Sequence, residues 1–127
     1  MKSQVTSIEQ SRRLLELGVP AEKASMVWYA PDAGFMDYHL ETKEGYCCPD
    51  ERDVPAFTIA DLLRMLPSKI SWQDPSDGNF RMRRYRGEDG IEWVIDYDRF
   101  VFGRISIIDT LVETIECLVA NGYKLEL

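Results

Sequence analysis

Two periods alternate along the chain, one near 3.6 residues and one of 2, and the switches between them outline its elements. The first helical stretch opens where Thr6 or Ser7 can cap it and Glu9 or Gln10, three positions on, can close a capping box. Ile8, Leu14, Leu15 and Leu17 lie on one side, Arg12, Arg13 and Glu16 on the other, and Gly18-Val19-Pro20 supplies the stop. A second helix starts at Thr58 with Asp61 at the capping-box distance, carries Ile59, Leu62, Leu63 and Leu66 inward, and is halted by Pro67. A third is capped by Asp109, has Leu111, Val112, Ile115, Leu118 and Val119 as its apolar stripe, and ends at Gly122.

Between the helices the pattern turns to strands. After a helical turn at Pro20 to Ala24, Ser25 to Ala30 and Phe35 to Glu41 read as strands around the turn Pro31-Asp32-Ala33-Gly34. Thr42 to Val54 is polar, acidic and broken by Gly and Pro, a loop carrying Tyr46, Cys47 and Cys48. Lys69 to Trp72 reads as a short strand and Gln73 to Asn79 as a connecting loop. The clearest β signal is Phe80 to Arg86, the turn Gly87-Glu88-Asp89-Gly90, and Ile91 to Asp98, a hairpin whose second arm turns Ile91, Trp93, Ile95 and Tyr97 toward the core. Lys124 to Leu127 adds an edge strand. The expected fold is α+β, three amphipathic helices packed on a small, mostly antiparallel sheet of four or five strands, and the 127 residues form one domain without repeats or linkers.

Composition changes this picture mainly through charge. The chain has 22 acidic and 15 basic residues, a formal charge of −7, so as a whole it repels nucleic acid and anionic lipid. The distribution is uneven. Residues 32 to 61 hold eight acidic and two basic side chains, whereas Arg81, Arg83, Arg84 and Arg86 concentrate four positive charges in a short strand. No apolar run approaches the ~20 residues of a membrane span, and MKSQVTSIEQ lacks the apolar segment of a signal peptide. A cytoplasmic protein with no membrane partner is expected, and three cysteines without a disulfide framework agree with reduced thiols.

The stretch Phe80-Arg-Met-Arg-Arg-Tyr-Arg86 is the one segment suited to phosphate or nucleic acid, because arginines grip phosphates and Tyr85 can stack on a base. Its register decides whether the charge is available. With Arg86 opposite Ile91 across a four-residue turn, Arg81 faces Asp96 and Tyr85 faces Glu92; a two-residue turn instead faces Arg83 with Asp96 and Arg81 with Asp98. Residues 88 to 98 carry five acids and no base, so cross-strand pairing would cancel most of the patch.

His39 is the single histidine, and a hydrolase would have to be built around it; an exposed polar strand face explains Asp37 and His39 equally. Cys47 and Cys48 are adjacent and lack the spacing that lets two thiolates reach one zinc ion. There is no glycine-rich phosphate loop, no G-x-S-x-G elbow and no H-E-x-x-H, so no catalytic residue, metal ligand or cofactor is assigned.

Three blocks, Ser7 to Trp28 (SIEQSRRLLELGVPAEKASMVW), Val54 to Pro67 (VPAFTIADLLRMLP) and Asp109 to Leu125 (DTLVETIECLVANGYKL), resemble small uncharacterised proteins encoded in phages and prophage-like elements of gut anaerobes. The resemblance implies a bacterial mobile-element setting and transfers no functional residue, and the arginine hairpin lies outside it. The expected function is a non-enzymatic accessory role through an unidentified protein partner, with the acidic side chains Asp37, Glu41, Glu44, Asp50, Glu51 and Asp53 as the contact surface. Binding of nucleic acid or phosphate through Arg81, Arg83, Arg84, Tyr85 and Arg86 is the alternative, and a His39 hydrolase is the third.

Overall fold

The computed structural model describes residues 4–29, 38–43, 52–70, 78–88, 90–97, 101–104 and 106–127. Within them lie three α-helices, α1 (Ile8–Glu16), α2 (Ile59–Met65) and α3 (Ile107–Ala120). The eight strands are β1 (Met26–Tyr29), β2 (His39–Thr42), β3 (Val54–Ala56), β4 (Lys69–Ile70), β5 (Gly78–Asn79), β6 (Arg81–Gly87), β7 (Gly90–Asp96) and β8 (Val101–Arg104). The α+β class holds, but the strands do not join in one sheet of four or five. They form three small antiparallel sheets, ordered β2-β1-β3, β4-β5 and β6-β7-β8. β1 is the central strand of the first sheet and β7 of the third, each with one neighbour on either side.

Capping chemistry sets the helix ends. Ser7 and Gln10 form the reciprocal box that opens α1, and Thr58 and Asp61 do the same for α2. At the far end of α1, Gly18 adopts φ +98° while the Val19 N–H reaches back to the Leu14 carbonyl, a closure that a side chain at position 18 would strain. The cap of α3 is Ser106 and not Asp109, whose backbone N–H instead donates to the Ser106 hydroxyl at 3.3 Å. Both residue types cap well three positions apart. Burial of Ile108 extends the apolar stripe one turn back and selects the earlier start.

Other departures from expectation have similarly local causes. β3 contains Pro55, which is tolerated because β3 is an edge strand, and the same proline hides it from a β-pattern reading. β8 was not foreseen; its Phe102 is buried opposite Ile95. Of the predicted strand Lys69 to Trp72, Lys69–Ile70 form β4 while Ser71 and Trp72 lie outside the described residues, and Gly78-Asn79, read as loop, pairs with β4. Lys124 to Leu127 forms no strand and is held to α2 by the Glu126 N–H, which donates to the Met65 carbonyl at 2.9 Å. In α1 the buried residues are Ser11 and Leu14, whereas Leu15 is exposed.

Two apolar clusters hold these pieces. The larger gathers Leu14, Phe57, Leu62, Met65, Ile95, Tyr97 and the stripe of α3; the smaller joins Val5, Met26, Trp28, Val54 and Ala56. α3 packs on β7, β8 and α2, and α1 bridges β3 and α3. No helix among the described residues is long and apolar enough to cross a membrane.

Candidate functional site

β6 is the edge of its sheet, and its pairing with β7 runs without a break from Arg81 opposite Asp96 to Gly87 opposite Gly90. This is the first of the two registers considered from sequence. It places acids beside only two of the five candidate residues, Arg81 against Asp96 and Tyr85 against Glu92. Arg83 meets Val94, Arg84 meets Trp93, and Arg86 meets Ile91. Cross-strand pairing therefore neutralises far less of the patch than the count of nearby acids suggests.

Side-chain alternation divides the hairpin into two faces. On one lie Arg81, Arg83 and Tyr85, with Glu92, Val94, Asp96 and Val101 beside them; on the other lie Met82, Arg84 and Arg86 with Ile91, Trp93 and Ile95. The second face reaches the core through Met82 and Ile95, but the expected inward row of β7 is only half realised. Ile95 and Tyr97 are fully buried, Trp93 is half-buried and Ile91 is 40% exposed, because the tip of the ribbon runs beyond the elements that cover its base. Arg83, Arg84, Tyr85 and Arg86 are consequently exposed whichever face they occupy.

Arg81 is spoken for: its Nε lies 3.2 Å from Asp96 Oδ1, and Asp96 is buried. Arg83, Arg84 and Arg86 form no ion pair or hydrogen bond among the described residues. Tyr85 is 56% exposed and Val101 61%. A depression of about 490 Å3 is lined by Arg81, Arg83, Asp96 and Val101 of this face together with Met82. Val101 is the member that sequence reading missed, since nothing in its surroundings announced β8.

The acidic surface is reached only in part. Asp37, Glu44, Asp50 and Glu51 lie outside the described residues, as do Cys47 and Cys48. Glu41 is half-buried on β2, its carboxylate accepting the Thr42 N–H at 2.9 Å, and Asp53 is half-buried with a bonded partner. His39, on β2, is exposed beside Tyr29, their ring centroids 5.8 Å apart, and no carboxylate or nucleophile among the described residues hydrogen-bonds it. No group of three or more His, Cys, Asp or Glu side chains is placed to hold a metal ion among those residues.

A second polar cluster joins α1 and β8 to α3: Arg13 to Glu116 at 3.5 Å, Arg104 to Glu113 at 2.9 Å and Gln10 to Asp109 at 2.7 Å. Its charges answer one another, which suits a structural clasp. No family model matches the chain, and neither the curated proteins nor the solved structures hold a match to it.

Proposed function

We propose that the protein is a non-enzymatic accessory protein of a phage or mobile element that acts by binding another protein, with the β6 edge as its contact surface. The mobile-element setting rests on the three resembling helical blocks. The contact surface rests on one observation: Arg83, Arg84 and Arg86 stand unpaired among the described residues, beside an exposed Tyr85, on an edge strand. Arginine and tyrosine are the residue types that dominate binding energy when an interface covers them. Affinity capture from a bacterial lysate with wild type and an Arg83/Arg84/Arg86→Glu variant tests this reading. A partner held by the first and released by the second is the expected result; equal recovery by both would move the surface elsewhere, to the acidic stretch.

Nucleic acid is the second reading, favoured by the same free guanidinium groups and by a tyrosine able to stack. Against it stand the turn acid Glu88 close to the arginines and a net charge of −7. Fluorescence anisotropy of labelled single- and double-stranded oligonucleotides across a salt series separates the two. Phosphate binding would weaken steeply as salt rises and vanish in the variant.

A further inference from the structure

We infer that β6 takes up an extended acidic segment of the partner protein as an added β-strand. This rests on the reading of β6 as the contact surface and specifies how that surface works.

Backbone comes first. β6 is seven residues long, and its continuous register with β7 contains no bulge that would twist the edge away. In an antiparallel ladder alternate residues direct their N–H and C=O groups to opposite sides, so part of the β6 backbone faces away from β7. Among the described residues, hydrogen bonding beside this stretch stops at Phe80, whose N–H donates to the Ser68 carbonyl at 2.9 Å. Among the described residues nothing pairs with the outer side of β6, which leaves a strand edge of roughly 20 Å for another chain.

Side chains then select the occupant. A strand laid beside β6 places its own side chains next to Arg83, Arg84, Tyr85 and Arg86 on the matching faces. Carboxylates opposite the three arginines and an apolar or aromatic residue opposite Tyr85 complete the pairing. The complementary motif is acid-acid-apolar-acid in one chain direction and acid-apolar-acid-acid in the other. Two copies of this chain do not fit edge to edge, because β6 against β6 sets arginine beside arginine. Nucleic acid has no use for the free edge of the ladder, whereas an added strand uses both backbone and side chains.

Charged side chains on an edge strand also guard against aggregation. A guard of that kind has no preferred ligand, and this difference makes the inference testable. The experiment is selection of the full-length protein against a random dodecapeptide display library, counter-selected on an Arg83/Arg84/Arg86→Ala variant, with the best peptide then resynthesised. Three acids within four positions, with an apolar or aromatic residue at an interior place, is the expected consensus. The variant should bind the peptide about tenfold more weakly, as loss of three exposed charge pairs implies. Backbone N-methylation at alternate residues should weaken binding in one phase and spare it in the other. Equal tolerance of both phases, or a consensus without the acids, overturns strand addition. If selection fails while a single-stranded oligonucleotide binds wild type and not the variant, the surface survives and its occupant is nucleic acid. Failure of both arms removes the surface itself.

Discussion

The Asp61 carboxylate accepts both hydrogen bonds that Ser25 can offer, the backbone N–H at 2.7 Å and the hydroxyl at 2.5 Å. It also accepts the Thr58 N–H at 3.0 Å, so one buried side chain closes the cap of α2 and fixes the entry to β1. Asp61→Ala would remove the acceptor of all three donors and of the Arg64 guanidinium at 3.3 Å. A loss of about 3 kcal/mol in urea unfolding is expected, and about 2 kcal/mol for Asp61→Asn, which keeps the shape but not the charge. A change below about 0.5 kcal/mol for either would mean that water replaces the carboxylate freely.

The same residue makes stability depend on pH. Burial pushes its pKa up, but the Ser25 hydroxyl, the Thr58 and Ser25 backbone N–H groups and the Thr58 hydroxyl together outweigh that and hold it below the ordinary 3.8. A carboxyl depressed in the folded state contributes stability that is complete above its unfolded value and disappears as pH falls through the folded one. Between pH 5 and 2.5 the urea midpoint of wild type should therefore fall more steeply than that of Asp61→Asn. Parallel slopes would assign the acid sensitivity to other carboxylates.

Tyr97 is fully buried and donates its hydroxyl to the Pro67 carbonyl at 2.7 Å, joining the end of β7 to the end of α2. Tyr97→Phe leaves that carbonyl without its donor and should cost about 1–2 kcal/mol with little change in packing. Burial, and secondarily the charge of Glu126, push the phenol pKa upward. The stability tied to a raised group is present below its unfolded value, near pH ~10, and fades as pH climbs beyond it. Wild type should accordingly lose more stability than Tyr97→Phe on moving from pH 9 to 11, as measured by thermal unfolding.

Exposure separates the arginines by consequence. Arg83, Arg84 and Arg86 meet no described partner, so replacing all three with alanine should change folding stability by less than about 0.5 kcal/mol. Asp96→Ala is different, because the carboxylate is buried and holds Arg81; a cost of about 1–3 kcal/mol is expected. Circular dichroism melts of both variants check the contrast. A large loss from the triple change would show that the arginines shape the hairpin instead of serving a partner.

Elements governed by neighbours in sequence were legible. The Ser7/Gln10 and Thr58/Asp61 boxes, the stop at Gly18 and the β6–β7 hairpin all follow from residues a few positions apart. Pairings set at long range were not. Nothing local says that Val54–Ala56 joins β1, that Val101–Arg104 joins β7, or that Ser25 finds Asp61 across 36 positions. The candidate surface divides in the same way. Its arginines are plain in the sequence, but their freedom depends on a register in which Val94, Trp93 and Ile91 stand where carboxylates would have quenched them. Val101 joins them through a strand that the pattern does not reveal.

That register depends in turn on one of the two glycines that bracket the turn, Gly90. Gly90 has φ +120°, a conformation that side chains rarely adopt, while a methyl group there would meet nothing within 4 Å. The cost of Gly90→Ala is thus one of backbone strain alone, about 1–3 kcal/mol. Gly87 lacks the positive φ, and a methyl group there would lie at ordinary contact distance, 3.6 Å from Glu92 Oε1. Gly87→Ala should therefore be nearly neutral. Hydrogen exchange localises the difference: amides of β6 should exchange faster in Gly90→Ala and unchanged in Gly87→Ala, with the peptide affinity of the edge following the same order. Equal effects from the two substitutions would mean that the conformation of Gly90 does not hold the hairpin in register.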